Sequence, residues 1–338
     1  MSNSKFYNKI WFKVSASIAM FILFVVIFTY ALYLPYIYPF GNNNGCSILF
    51  LGSSSFTHGI DPEIIDRETG RKSYILATVD APVYGRYEML RSALGNESLD
   101  TVVIELSYNT LSKALSEYTA DDRLMFFPKV LGIPGKIHAL SSYFSFWDDE
   151  YDLAYAQLLY EGVQVWLKYA ARFRYDSYLS ARGHKPSSIN KQKLKKPASA
   201  LNSKELSLDF PQETLDCLED MIAISQEAGL SVILVTTPLS QKYVWQSVGL
   251  DEYHAVLTKI AEKYNIPYYD FNLLENLGSY FDDAVSYHDK EHLSMEGAPV
   301  FSRIIGKTIN DYLNNNEISY SFYSSYEECK EHSVYQSR

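Results

Sequence analysis

The sequence predicts an α/β domain on a mainly parallel sheet, held outside the cell membrane by one N-terminal span. Three observations lead there. From about residue 45 to 314, short apolar runs alternate with longer amphipathic stretches, the order that builds parallel strands joined by helices. The runs are apolar at successive positions, as strands covered on both faces should be. Ahead of them, Val14 to Leu34 contain no charged residue, close to the roughly 20 residues that cross a bilayer core.

Lys5, Lys9 and Lys13 precede the apolar span, and Tyr30, Tyr33, Tyr36 and Tyr38 crowd its far end. The bias of cations toward the cytoplasm places residues 1–13 inside and everything after Pro35 outside. A cleaved signal peptide has a shorter apolar region, about 7–15 residues, and a small-residue cleavage site. The stretch "YALYLPYIYPF" offers no such site, so 14–34 reads as an uncleaved anchor.

Past the anchor, Ser47–Leu51, Ser73–Ala77, Thr101–Leu106, Ser231–Thr237 and Pro267–Phe271 read as strands. Tyr84–Leu94, Gln212–Glu227, Asp251–Tyr264 and Ser294–Leu313 read as helices. A mostly helical insertion over about 111–210 interrupts the alternation. It holds an expected helix from Glu150 to Phe173, then Arg182 to Lys204, which carries Lys185, Lys191, Lys193, Lys195 and Lys196 and no acid. Such a stretch is a solvated loop or a basic surface for anionic headgroups or an acidic glycan. The tail, 315–338, reads as peripheral.

Composition narrows the function classes. The chain has 338 residues, enough for a substantial core, and a formal net charge of −10, which argues against a general nucleic-acid binder. Its 29 Tyr suit work beside a membrane or a glycan. Cys46, Cys217 and Cys329 lie far apart and form no metal or redox spacing; one bridge among them is open.

In an open parallel sheet, ligands sit beyond the carboxyl ends of the strands. Gly52-Ser53-Ser54-Ser55 follows the first strand, Ser107-Tyr108-Asn109 the third, and "YHDKEHLSMEGA" (Tyr287 to Ala298) lies just before the last helix. A serine cluster, an amide and a carboxylate–histidine pair thus fall on one edge. Acyl transfer needs those types together. A serine hydroxyl is a poor nucleophile without an adjacent base, a carboxylate orients that base, and oriented donors must meet the developing oxyanion. Each motif also has a plain structural reading: the serines as a turn or helix cap, and the Asp-x-x-His pair as a surface loop. Glu105, ending the third strand, reads as half-buried and paired. His58 is close to Ser54 in sequence but reads as a rim residue. His288 and His292 lack the Glu that a zinc protease motif places directly after its first His, so no metal is expected.

"LFLGSSS" resembles the first block of the SGNH, or GDSL-like, hydrolase superfamily, with Gly52-Ser53-Ser54 in place of Gly-Asp-Ser. "DKEHLSMEGA" is similar to its last block, Asp-x-x-His before a helix. The Gly-Ser-Ser variant and the later "GIDP" further resemble membrane-anchored relatives that acylate envelope polymers, such as alginate acetylation and teichoic acid D-alanylation proteins. The resemblance covers about 47–109 and 231–313. It implies a three-layer, flavodoxin-like SGNH-hydrolase fold over 45–314, with Ser54 as nucleophile, His292 as general base and acid, and Asp289 orienting His292. Ser54 N–H and Asn109 would form the oxyanion hole, with Gly85 as the nearest block-two glycine. The usual Gly-x-Asn is here Ser107-Tyr108-Asn109, and Ser53 removes a charge beside the nucleophile.

The expectation is a membrane-anchored, extracytoplasmic serine esterase or acyltransferase acting on acyl groups, O-acetyl first, of a cell-envelope polysaccharide. It needs no cofactor, and a multi-pass membrane protein would be its acyl donor. The alternatives are a non-catalytic glycan-binding or assembly subunit, and a membrane-proximal lipid esterase.

Overall fold

The computed structural model describes residues 11–24, 45–79, 82–118, 126, 129–130, 135, 138–139, 182–188, 204–205 and 210–332. The expected helix Glu150–Phe173, most of the insertion, the lysines from Lys191 to Lys196 and the second half of the anchor lie outside them.

Five strands form one parallel sheet: β1 (Cys46–Gly52), β2 (Lys72–Ala77), β3 (Thr101–Glu105), β4 (Ser231–Thr236) and β5 (Tyr268–Asp270). Their order is β2-β1-β3-β4-β5, every neighbouring pair parallel. All five overlap the apolar runs expected to form strands. The order is that of flavodoxin-like sheets, in which the connection reverses direction between β1 and β3 and opens a crevice at their carboxyl ends.

Each strand divides its side chains between two cores. In β1, Leu49 and Leu51 face one apolar cluster and Ile48 and Phe50 the other; in β3, Val102 and Ile104 oppose Val103. The first core is closed by α3 (Val83–Ala93), α5 (Gln212–Glu227) and α7 (Leu250–Tyr264). The second is closed by α1 (Ser54–Gly59), α2 (Pro62–Thr69) and α9 (Gly297–Leu313). This two-sided burial is why the strands read as continuous apolar runs. The helix ends follow local chemistry. Asp61 caps α2 by accepting from Glu63 N at 2.9 Å, Pro62 occupies its first turn, and Gly70 ends it at φ 68°.

Lys204–Glu205 pairs in parallel with Ser247–Val248 as a separate two-stranded sheet. Four short helices join these elements: α4 (Tyr108–Leu111), α6 (Gln241–Gln246), α8 (Leu277–Tyr280) and α10 (Tyr326–Glu331). The last lies in the tail expected to be peripheral. Tyr326 is buried there, donates to Asp270 Oδ2 at 2.8 Å, and its backbone N–H donates to Asp251 Oδ1 at 2.6 Å. The tail thus closes over the end of β5, because a buried phenol needs an acceptor and Asp270 supplies one.

Residues 11–24 are helical, with Ile18, Phe21 and Leu23 exposed. No helix among the described residues is long and apolar enough to cross a membrane. All three cysteines are free.

Candidate active site

The Gly52-Ser53-Ser54 turn leaves β1 and enters α1 at once. Ser53 is the N-cap: its Oγ accepts from Ser55 N at 3.2 Å, and its carbonyl accepts from Thr57 N at 3.3 Å. Ser54 is therefore the first helical residue, standing at the carboxyl end of the sheet. Its backbone N–H has no acceptor among the described residues.

His292 arrives from the other end of the chain on a pinned loop. His288 N donates to the His292 carbonyl at 2.8 Å, and Tyr287 bridges Leu293, closing the loop at its neck. Ser294 secures the base of that neck. Its Oγ donates to the Val285 carbonyl at 2.7 Å and accepts from Glu296 N and Gly297 N at 3.2 Å, so α9 begins at Gly297 rather than at the expected Ser294. A Cβ on Gly297 would lie 2.1 Å from the Ser286 carbonyl oxygen, so only glycine lets α9 approach the loop so closely.

These supports bring three of the expected residues together. Ser54 Oγ lies 2.8 Å from His292 Nε2, and His292 Nδ1 lies 2.8 Å from Asp289 Oδ1. The same Asp289 oxygen accepts from the backbone N–H groups of Glu291 and His292, both at 3.0 Å. Burial raises the proton affinity of Asp289, but the His292 ring and these N–H donors more than offset it and hold the carboxyl below the usual carboxylate range. Burial alone would lower His292; the bond and charge of Asp289, with Glu291 and Glu105, outweigh it and raise its pKa. Serine, imidazole and carboxylate thus stand in the relation that activates a hydroxyl.

The other expected residues lie differently. Asn109, at the start of α4, lines the cleft beside Ser54, but its Nδ2 donates to Glu291 Oε2 at 3.3 Å on the exposed rim. Gly85 lines no part of the cleft. It sits in α3 beneath Phe126, whose ring atoms would come within 2.6 Å of an added Cβ, so close helix packing accounts for this glycine. His58 stands in the last turn of α1, its ring centroid 5.3 Å from that of His292. Its Nδ1 lies 2.7 Å from the Lys185 carbonyl and 2.8 Å from Ser187 Oγ, and burial lowers its pKa to about 4. It is a neutral neighbour of His292 that holds residues 185–187 beside the site. His288 Nδ1 is engaged with the Ser188 carbonyl rather than turned toward His292. No group of three or more His, Cys, Asp or Glu among the described residues gathers to hold a metal ion.

The cleft itself has a volume of about 100 Å³. Besides Ser54 and His292, its walls include Tyr108, Tyr243, Tyr253 and Lys113. Sequence reasoning did not find these aromatic walls, because Tyr is frequent throughout the chain. It also missed the depth of Glu105, which is fully buried rather than half-buried. A charged residue ending an apolar run was the available signal, since a buried charge needs a partner.

No family model and no curated protein matches the chain. Among solved structures, it is similar to a putative acylhydrolase from Bacteroides fragilis, at 14% identity over 80% of this chain and 89% of that one, with a TM-score of 0.37. It is also similar to a lipase/acylhydrolase from Enterococcus faecalis, at 13% identity over 79% of this chain and 96% of that one, with a TM-score of 0.38.

Proposed function

We propose that the chain is a serine-dependent esterase or acyltransferase that removes or transfers a small acyl group, O-acetyl first, on a cell-envelope polysaccharide. The observation that carries the reading is the unbroken line from Ser54 Oγ through His292 to Asp289, both links at 2.8 Å. Ser54 Oγ attacks the acyl carbonyl carbon while His292 Nε2 takes its proton. The carbonyl oxygen becomes an oxyanion, and Ser54 N–H is the placed donor that can meet it. When the tetrahedral intermediate collapses, the ester C–O bond breaks and His292 returns the proton to the leaving hydroxyl. Water or a sugar hydroxyl then attacks the acyl-serine with His292 again as base, and Ser54 is regenerated. Asp289, ionised throughout, stabilises the imidazolium formed in each half.

The size of the cleft supports a small acyl group. About 100 Å³ is several times the roughly 10–15 Å³ that one buried water needs on the same measure, which leaves room for an acetyl-sized group beside Ser54. The membrane anchor belongs to this proposal on the strength of the apolar span 14–34 and its flanking lysines, and an acyl-donating membrane partner on the resemblance of Gly52-Ser53-Ser54 and "GIDP" to membrane-anchored acylation proteins.

Active-site labelling of the full-length protein with a fluorophosphonate tests the reading. Labelling is expected in the wild type and in Ser53→Ala, and lost in Ser54→Ala and His292→Ala. A folded wild type that takes no label would overturn it.

A further inference from the structure

Glu105 is the buried carboxylate that the reaction above leaves unused. It ends β3, is 0% exposed, and its Oε2 accepts the backbone N–H of Ser53 at 2.8 Å. Arg86 of α3, itself 1% exposed, clamps it. Arg86 Nη1 lies 3.4 Å from Glu105 Oε2 and donates to the Glu105 carbonyl at 2.5 Å, while Nη2 donates to Thr110 Oγ1 at 2.8 Å. Thr110 Oγ1 lies 2.6 Å from Ser107 Oγ, so the clamp reaches the loop that carries Asn109. Gly52 is shaped around the same carboxylate, for an added Cβ would stand 2.7 Å from Glu105 Cβ and 2.9 Å from Oε2.

An ion pair this deep is costly to desolvate and adds little stability over an apolar pair of the same size. Among the described residues Glu105 Oε1 and Arg86 Nε have no hydrogen-bond partner, which adds to that cost. What the pair does accomplish is local. Of the donors at the head of α1, Ser53 N–H is taken by Glu105 and Ser55 N–H by Ser53 Oγ, leaving Ser54 N–H unbonded among the described residues.

We propose that Glu105, clamped by Arg86, is the positioning residue of the nucleophile turn. It fixes Ser53 so that Ser54 presents its hydroxyl to His292 and keeps its own N–H for the oxyanion. Glu105 also supplies a negative charge under a turn whose Ser53 carries none. That charge reaches His292, which is faced by Asp289 and Glu291 from its own loop, Glu105 from β3 and neutral His58 from α1, with Lys185 and His288 beside His58.

The inference rests on Ser54 and His292 acting as proposed, and its test separates the two. The full-length protein in detergent would be assayed for p-nitrophenyl acetate hydrolysis across pH, with Glu105→Gln, Glu105→Asp and the isosteric Thr110→Val. Glu105→Asp keeps the charge but falls short of Ser53 N–H. Its kcat is expected to fall on the order of 10–100-fold, the scale of a misplaced reacting atom, with KM and the acid limb of the pH profile little changed. Glu105→Gln keeps an acceptor and loses the charge. It should retain more activity than Glu105→Asp, with its acid limb moved to lower pH because His292 binds its proton less tightly. Thr110→Val leaves the ion pair intact and loosens only its outer hold, so a smaller fall in kcat is expected, and it reads the clamp should both Glu105 variants fail to fold. Wild-type kcat and pH limb in every variant that folds would overturn the positioning role while leaving the serine mechanism standing. A wild type that neither turns over nor takes a fluorophosphonate would overturn both.

Discussion

Asn in place of Asp289 would keep a polar group beside His292 Nδ1 but remove the charge that stabilises the imidazolium. In a serine triad that loss is on the order of 10⁴-fold in kcat, and Asp289→Asn is expected to show it together with some loss of thermal stability at neutral pH, since the fold favours the charged carboxylate. The sign of the pH effect follows from the shifts. His292 must be neutral to accept the Ser54 proton, and its pKa is raised. The acid limb of kcat/KM in the wild type should therefore lie above the ordinary imidazole value, and move down in Asp289→Asn as the raising charge is lost. A limb at the same pH in both proteins would mean that another group titrates. Ser54, Asp289 and His292 were legible in the sequence because each sits in a motif whose spacing is local: four residues for Asp-x-x-His, and a turn directly after an apolar run. Gly85 was not legible, since a glycine required for packing against Phe126 and one required for an oxyanion amide look alike in one sequence. Arg86, its neighbour, was hidden for a related reason, its partner Glu105 being brought near only by the packing of α3 over the face of the sheet.

The elements that carry the site differ in how they are secured. Ser54 stands on a turn fixed by the sheet beneath it, whereas Asp289 and His292 stand on a loop whose shape depends on the bonds at its neck. Ser294 makes three of these at once, to the Val285 carbonyl and from Glu296 N and Gly297 N. Ser294→Ala is expected to destabilise the fold by about 1–2 kcal/mol, the range for a lost cap with a buried acceptor left unpaired. It should also lower kcat more than KM changes, because the His292 ring loses its fixed distance from Ser54. Thermal unfolding and steady-state kinetics on one preparation would check both; unchanged kinetics in a destabilised protein would show the loop to be held elsewhere. The five strands were legible because burial on both faces makes each an unbroken apolar run. The short helices α1, α6, α8 and α10 were not, since four to six residues span too little of a 3.6-residue period to leave a pattern. The start of α9 was misplaced by three residues for the converse reason: Ser294 looks like an ordinary N-cap, and its bond back to Val285 is invisible without the fold.

At the scale of the whole molecule, the position of the cleft relative to the membrane decides which substrates can reach it. The proposed anchor over 14–34 would leave only 35–45 before β1, a length that spans at most roughly 40 Å even fully extended. A domain on so short a tether would work close to the bilayer surface, where a membrane-attached or growing polymer would be continually within reach and a dilute soluble ester would not. On the proposed reading, lysines before the span and tyrosines after it would set the direction and put the cleft outside. Protease added to intact cells whose outer wall has been removed should then destroy a tag fused after Arg338 while sparing one fused before Met1, and the label on Ser54 should be taken up by a probe that cannot cross the membrane. A protected C-terminal tag, with an impermeant probe reaching Ser54 only after lysis, would place the cleft inside and overturn the extracytoplasmic reading. The serine chemistry would stand, but a cell-envelope polysaccharide could no longer be its substrate.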